Sequence, residues 1–173
     1  MVAKPGLTAR KVLLCIWRDW KGIIYYELFP YSETLNSDLY SQQLDRLKLA
    51  IDEKWPELAN RRGVVFHQEN GRPHTSVVTC QKLKELGWEV LMHPPYSPDL
   101  AASDYHLFLA LRNFLSDKKM GSREDYENRL EEFLANKSQD FYKRGILKLP
   151  SKWQLITQQN GTYLTQIGQS ETC

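Results

Sequence analysis

Two hydrophobic patterns alternate along the chain, and they mark out strands and helices in turn. Val12-Leu13-Leu14-Cys15-Ile16-Trp17 is a nearly continuous apolar run, the sign of a strand buried on both faces. Lys21-Gly22 marks a turn, and Ile23 to Phe29 supplies the hairpin partner, ended by Pro30. Tyr40, Leu44, Leu47 and Ile51 then recur at helical spacing and form one apolar face. Asn36 or Ser37 can cap that helix, and Pro56 closes it or begins a last turn.

Val64-Val65-Phe66 reads as a short buried strand that empties into the polar turn His67 to Thr75. Thr75 is a good N-cap for a helix through Leu86, which Gly87 ends. Glu89 to Met92 is a second short strand. A proline loop from His93 to Leu100 follows, and a helix starts at Ser103-Asp104-Tyr105-His106. Met120-Gly121 breaks the chain, and Ser122-Arg123-Glu124-Asp125 resembles a capping box with Asp in place of Glu. Tyr126, Leu130, Phe133 and Leu134 give the next helix its stripe. Residues 138–160 predict two short helices broken near Gly145 to Pro150, with Asn160-Gly161 as the stop. The order hairpin, helix, strand, helix, strand, helices predicts an α/β fold, a sheet of mixed direction with helices packed on it.

Composition narrows the class without naming it. The 173 residues are one domain in size, with 42% hydrophobic and 25% charged residues. No apolar run approaches the roughly 18 residues of a membrane span, and residues 1–10 lack the apolar core of a signal peptide. Cys15, Cys80 and Cys173 are odd in number and lack metal spacing, which predicts a reducing compartment, nuclear or cytoplasmic. A net charge of +2 does not demand a nucleic-acid partner, although Arg10-Lys11, Arg61-Arg62, Lys118-Lys119 and Lys143-Arg144 are paired basic residues. Such pairs are ordinarily solvated surface, and contact with DNA is their second reading.

Two acids stand where chemistry would gather. Glu69 follows the end of a strand and Asp104 opens a helix, with thirty-four residues between them. Ligands collect at the carboxyl ends of strands in open α/β sheets, and hard divalent cations prefer carboxylate oxygens.

At these residues the chain resembles a known family. HxxNxRPHT, then HPPYSPDL and SDYHLF, are similar to the catalytic domain of mariner transposases, RNase H-like enzymes of DNA strand transfer. The resemblance runs from about Arg10 to Ile167. It implies an RNase H-like mixed sheet with flanking helices, and a carboxylate triad holding two Mg²⁺ or Mn²⁺ ions for cleavage and strand transfer. The family's second and third acids fall on Glu69 and Asp104. The expected division is a disordered lead-in over residues 1–10, the catalytic domain over 11–167 and a tail over 168–173.

The resemblance also implies an incomplete site. The family's first catalytic aspartate lies in a segment like TGDEKW, on a central strand ahead of the hairpin, and this sequence starts after it. Without that strand two ladder edges lack a partner, at about 1–3 kcal/mol for each buried unpaired group. Several such groups approach the roughly 5–15 kcal/mol stability of a domain. The family has Asp where this chain has Glu69, whose extra methylene displaces the carboxylate in a site whose ions sit about 3.5–4 Å apart.

Other polar residues carry blander readings. Asp19 follows a strand but sits in the hairpin turn, and Asp52-Glu53-Lys54-Trp55 spells DEKW by coincidence at the end of an amphipathic helix. His67, His74, His93 and His106 match no common zinc spacing, so packing and loop hydrogen bonding are expected of them. Asp104 is equally a helix-start acid favoured by the dipole. Arg72 is a candidate phosphate contact, or a turn-surface residue; Lys118 and Lys119 are the further candidates for nucleic-acid contact. Trp17, Trp20, Trp88 and Trp153 read as core or interface aromatics. Three functions follow in order. The first is a catalytically inactive remnant of a mariner-type catalytic domain with residual DNA or divalent-metal binding. The second is an interaction module pairing with itself or a full-length transposase through sheet edges. The third is a weak Mn²⁺-dependent endonuclease. No membrane or small-molecule partner is expected.

Overall fold

The computed structural model describes residues 12–30, 33–60, 63–68, 71–91, 93, 100–101 and 103–159. Strands β1 (Val12–Arg18) and β2 (Ile23–Pro30) form an antiparallel hairpin in register from Val12 opposite Pro30 to Trp17 opposite Tyr25, with a bulge before Arg18. Asp19 shapes the turn. Its Oδ1 accepts hydrogen bonds from the backbone N–H groups of Lys21 at 2.8 Å and Gly22 at 3.0 Å.

Helix α1 (Ser37–Lys54) follows. Of the two candidate caps Asn36 serves, its side chain accepting from the Leu39 N–H at 2.8 Å. Tyr40, Leu44, Leu47 and Ile51 are all buried, as their spacing predicts. Pro56 opens a short helix α2 (Pro56–Asn60), where its missing N–H costs nothing. Strands β3 (Val65–His67) and β4 (Glu89–Leu91) pair in parallel, Val65 opposite Glu89 and His67 opposite Leu91. Between them lie the single turn α3 (Arg72–Thr75) and helix α4 (Val77–Leu86).

The N-cap of α4 is Ser76, not Thr75. Pro73 is tolerated in the first turn of α3, so the segment expected to be a polar turn closes into a helical one, and the cap falls one residue later. Ser76 Oγ accepts from Thr79 N–H at 3.2 Å. Gly87 ends α4 at φ +70°, a left-handed conformation that glycine adopts without a Cβ clash.

Ser103–Phe108 is a π-helical segment that runs directly into α5 (Leu109–Leu115). Helix α6 (Arg123–Ala135) begins with the full capping box: Ser122 Oγ accepts from Asp125 N–H at 3.2 Å, and Asp125 Oδ2 accepts from Ser122 N–H at 2.9 Å. Helices α7 (Gln139–Leu147) and α8 (Leu149–Gln159) divide at Lys148, within the stretch Gly145 to Pro150 where the break was expected, and Gly145 itself lies inside α7.

Two cores organise these elements. In the first, Leu44, Leu47 and Ile51 of α1 meet Ile24 of β2, Phe66 of β3 and Leu83 of α4. In the second, Leu107, Leu111, Leu130, Phe133 and Tyr142 gather against Leu28 of β2. Among the described residues the strands form two separate two-stranded sheets rather than one mixed sheet, so β1 and β3 each have one neighbour. β1 is accordingly half-buried along its whole length, not buried on both faces. An apolar groove of about 570 Å³ adjoins it, with Val12, Leu14, Leu111 and Leu130 among its walls. Trp17 and Trp88 pack on the first core, whereas Trp20 is 44% exposed.

No helix among the described residues is long and apolar enough to cross a membrane. Cys15 on β1 is a free thiol whose pKa is pushed up by burial.

One polar network ties β2 to α1. The carboxylate of Glu27 accepts from Arg46 Nε and, at 3.1 Å, from Arg46 Nη2; it also accepts from the Tyr25 hydroxyl and, at 3.1 Å, from Gln43 Nε2. Burial alone would raise the Glu27 pKa, but the bonds from Arg46, Tyr25 and Gln43 outweigh it and hold the carboxyl below the usual range. A depressed folded-state pKa stabilises the fold above the unfolded value and is lost as pH falls through the folded one. Glu27→Gln should therefore lower stability at pH 7 by about 1–2 kcal/mol. It should also flatten the decline of stability on acidification below pH ~4.5, as read from urea unfolding followed by tryptophan fluorescence.

Candidate active site

The expected acids depend on two elements. β3 ends at His67, and the chain just beyond it is pinned by Gln68, which accepts from the Tyr40 hydroxyl at 2.9 Å and donates to the His74 carbonyl at 2.9 Å. Gln68 thus ties the end of β3 to both α1 and α3. Glu69 itself lies outside the described residues, as do residues 94–99 of the proline loop. Asp104 is the second residue of the π-helical segment. Such segments are rare and recur at functional sites.

Histidines close the carboxyl ends of β3 and β4. His67 Nε2 and His93 Nδ1 lie 3.0 Å apart, a hydrogen bond between the two strand ends. Burial, with His93 beside it, lowers the His67 pKa to about 4, so the ring is neutral at pH 7. His74 packs on Tyr40 with ring centroids 4.5 Å apart. Among the described residues no three His, Cys, Asp or Glu side chains come together as a metal-holding group.

Arg72 is exposed on α3, which packs against α1 and α4. Lys118 and Lys119 follow α5 on the side of the second core, and Lys118 Nζ sits 3.4 Å from the centroid of the Phe114 ring. The three candidate nucleic-acid contacts are therefore on elements that pack on different cores. Asp52, of the coincidental DEKW, is exposed and pairs with Lys48 at 2.7 Å along α1.

A set of residues not predicted from the sequence surrounds the π-helical segment. The Tyr105 hydroxyl donates to the Gly145 carbonyl, and His106 stacks on Phe141 at 4.3 Å between centroids. Arg18, at the end of β1, donates to the Tyr142 carbonyl at 3.2 Å, and burial pushes its guanidinium below its ordinary pKa. His106 Nδ1 is buried without a hydrogen-bond partner. A glycine within a helix would have been the only warning, since it sacrifices helix propensity for space.

The reason for that glycine is steric. A Cβ at Gly145 would lie 2.5 Å from His106 Nδ1 and 3.1 Å from Arg18 Nη2. Gly145→Ala should destabilise the fold by about 1–3 kcal/mol through overpacking, even though alanine gains about 1 kcal/mol in helix propensity. Thermal unfolding followed by circular dichroism measures the net sign.

With this geometry in place, comparison with known proteins is informative. Residues 1–61 match the family described as transposase (partial DDE domain). The chain is 42% identical over 163 residues to the mariner Mos1 transposase of Drosophila mauritiana, covering 94% of this chain and 47% of that protein. It is 42% identical over 160 residues to the human histone-lysine N-methyltransferase SETMAR, covering 92% of this chain and 23% of that protein. The chain thus spans less than half the length of either relative. A solved structure of the Mos1 transposase catalytic domain with raltegravir and Mg superposes with a TM-score of 0.86 at 41% identity, covering 91% of this chain and 79% of that one. A Mos1 pre-cleavage transpososome matches with a TM-score of 0.86 at 42% identity. At that identity over four-fifths of a catalytic domain, the chain belongs to the mariner transposases, and its fold is that of their RNase H-like catalytic domain.

Proposed function

We propose that this chain is the part of a mariner transposase catalytic domain that carries the second and third acids, Glu69 and Asp104, and that the 173-residue polypeptide by itself does not cleave DNA. Mos1 relatives have been solved with Mg, with Mn and with transposon-end DNA, which supports divalent-metal DNA chemistry as the ancestral activity. In-line displacement at a phosphodiester needs two ions placed together by shared ligands. Glu69 and Asp104 do not suffice for that, and the glutamate reaches about one bond further than the aspartate expected there. The strand pairing carries the reading: β1–β2 and β3–β4 stay separate among the described residues, so the sheet has no described middle strand on which a third acid could stand. In a plasmid-nicking assay with Mn²⁺, the chain should give no more nicked circles than its Asp104→Ala variant. Cleavage that disappears in Asp104→Ala would overturn the proposal.

The same observation favours a second reading, an interaction module. The edges of β1 and β3 that are unpaired among the described residues present backbone donors and acceptors that a strand from another chain can satisfy. Mos1 paired-end complexes support association between copies in this family. The chain should then co-purify with intact Mos1 transposase at micromolar concentration, and failure to do so counts against this role.

A further inference from the structure

The apolar groove beside β1 is the one part of the second core that its packing does not fill. Helix α5 packs on α6, and α6 packs on β2. Where α5 faces β1 the elements stand apart, and about 570 Å³ lies between them. Val12 and Leu14 form one wall, Leu111 and Leu115 the other, and Leu28 and Leu130 complete the apolar lining. Voids in a folded domain are few and rarely exceed a water molecule. A groove of this size falls instead among pockets that take small organic ligands, roughly 300–1,000 Å³, with apolar walls and a few polar groups.

Those polar groups give the ligand its charge. Arg112 lies on α5 between Leu111 and Leu115, is exposed, and makes no hydrogen bond or ion pair among the described residues. Arg46, Arg123 and Arg129, by contrast, each hold a glutamate carboxylate. The Tyr126 hydroxyl on α6 also has no partner among the described residues, whereas Ser116 Oγ is engaged by the Asn113 carbonyl at 2.8 Å. The groove therefore offers one unneutralised guanidinium and one free phenol beside a wholly apolar interior.

From this pairing we infer that the groove binds a small amphipathic monoanion, an apolar chain ended by one carboxylate, with the chain along Leu14, Leu111 and Leu130 and the carboxylate on Arg112. The planar fork of an arginine meets a carboxylate through two parallel hydrogen bonds, which selects an acid over an amine. One cation balances one negative charge. Helix α6 carries five acids, Glu124, Asp125, Glu127, Glu131 and Glu132, and their field disfavours a head of higher charge. The site uses neither Glu69 nor Asp104, so the inference stands apart from whether the chain cleaves DNA.

The test is isothermal titration calorimetry of the whole chain with sodium decanoate, sodium octanoate and 1-octanol, each below its aggregation limit. Decanoate should bind saturably at one site. Octanoate, two methylenes shorter, should bind about 15-fold more weakly. R112Q should weaken both acids about 10-fold and leave 1-octanol unchanged, because only the acids present a charge to the guanidinium. L115W, which places an indole in the groove, should abolish binding of all three. Thermal unfolding checks the fold of each variant; Arg112 is exposed, so R112Q tests the inference on a folded chain even where L115W does not fold. Absence of saturable decanoate binding by the unmodified chain, the outcome expected if a protein segment is the true occupant, would overturn the inference. So would full affinity in a folded L115W, or an R112Q variant that weakens neither acid or weakens 1-octanol equally.

Discussion

The packing of α1 against both strand pairs is the contact on which the rest of this fold depends. Among the described residues no ladder of backbone hydrogen bonds joins β1–β2 to β3–β4. Ile24 and Phe66, one from each pair, instead meet under Leu44, Leu47 and Ile51. The junction is hydrophobic where a continuous sheet would make it directional. Burial at about 25 cal/mol per Å² stabilises it, but apolar contact fixes relative position less sharply than hydrogen bonds do. The Glu27 network adds the missing direction, since a bidentate arginine on a carboxylate sets both distance and angle between β2 and α1.

The second core places the candidate active site. The π-helical segment enters that core at Leu107, which is 1% exposed, so the backbone of Asp104 is set by a neighbour three residues on. Gly145 allows α7 to approach His106 closely. On the other core, Gln68 and the His67–His93 pair hold the ends of β3 and β4.

Much of this was legible from residue order alone, because local physics determines it. The hairpin, the buried face Tyr40, Leu44, Leu47 and Ile51, the stop at Gly87 and the capping box at Ser122 each depend on residues within a few positions of one another. The long motif around Asp104 is specific enough to give the family without any geometry. Local reasoning failed where the deciding partner is distant or missing. The apolar run of β1 predicts burial on both faces, yet burial needs a second neighbour, and the described residues provide only β2. The α7–α8 break falls at Lys148, inside the expected stretch from Gly145 to Pro150, but the need for a glycine at 145 comes from distant His106.

Periodicity, the Gly87 stop and the Ser122 capping box were thus determined by the sequence itself, since each rests on covalent neighbours and intrinsic backbone preferences. Only the tertiary structure decided that the strands stay in two pairs, that His67 bonds His93, and that Arg18 shares its surroundings with Gly145 and His106. Those outcomes depend on which side chains meet across more than twenty intervening residues. Such meetings are settled by the packing of whole elements, which no local spacing encodes.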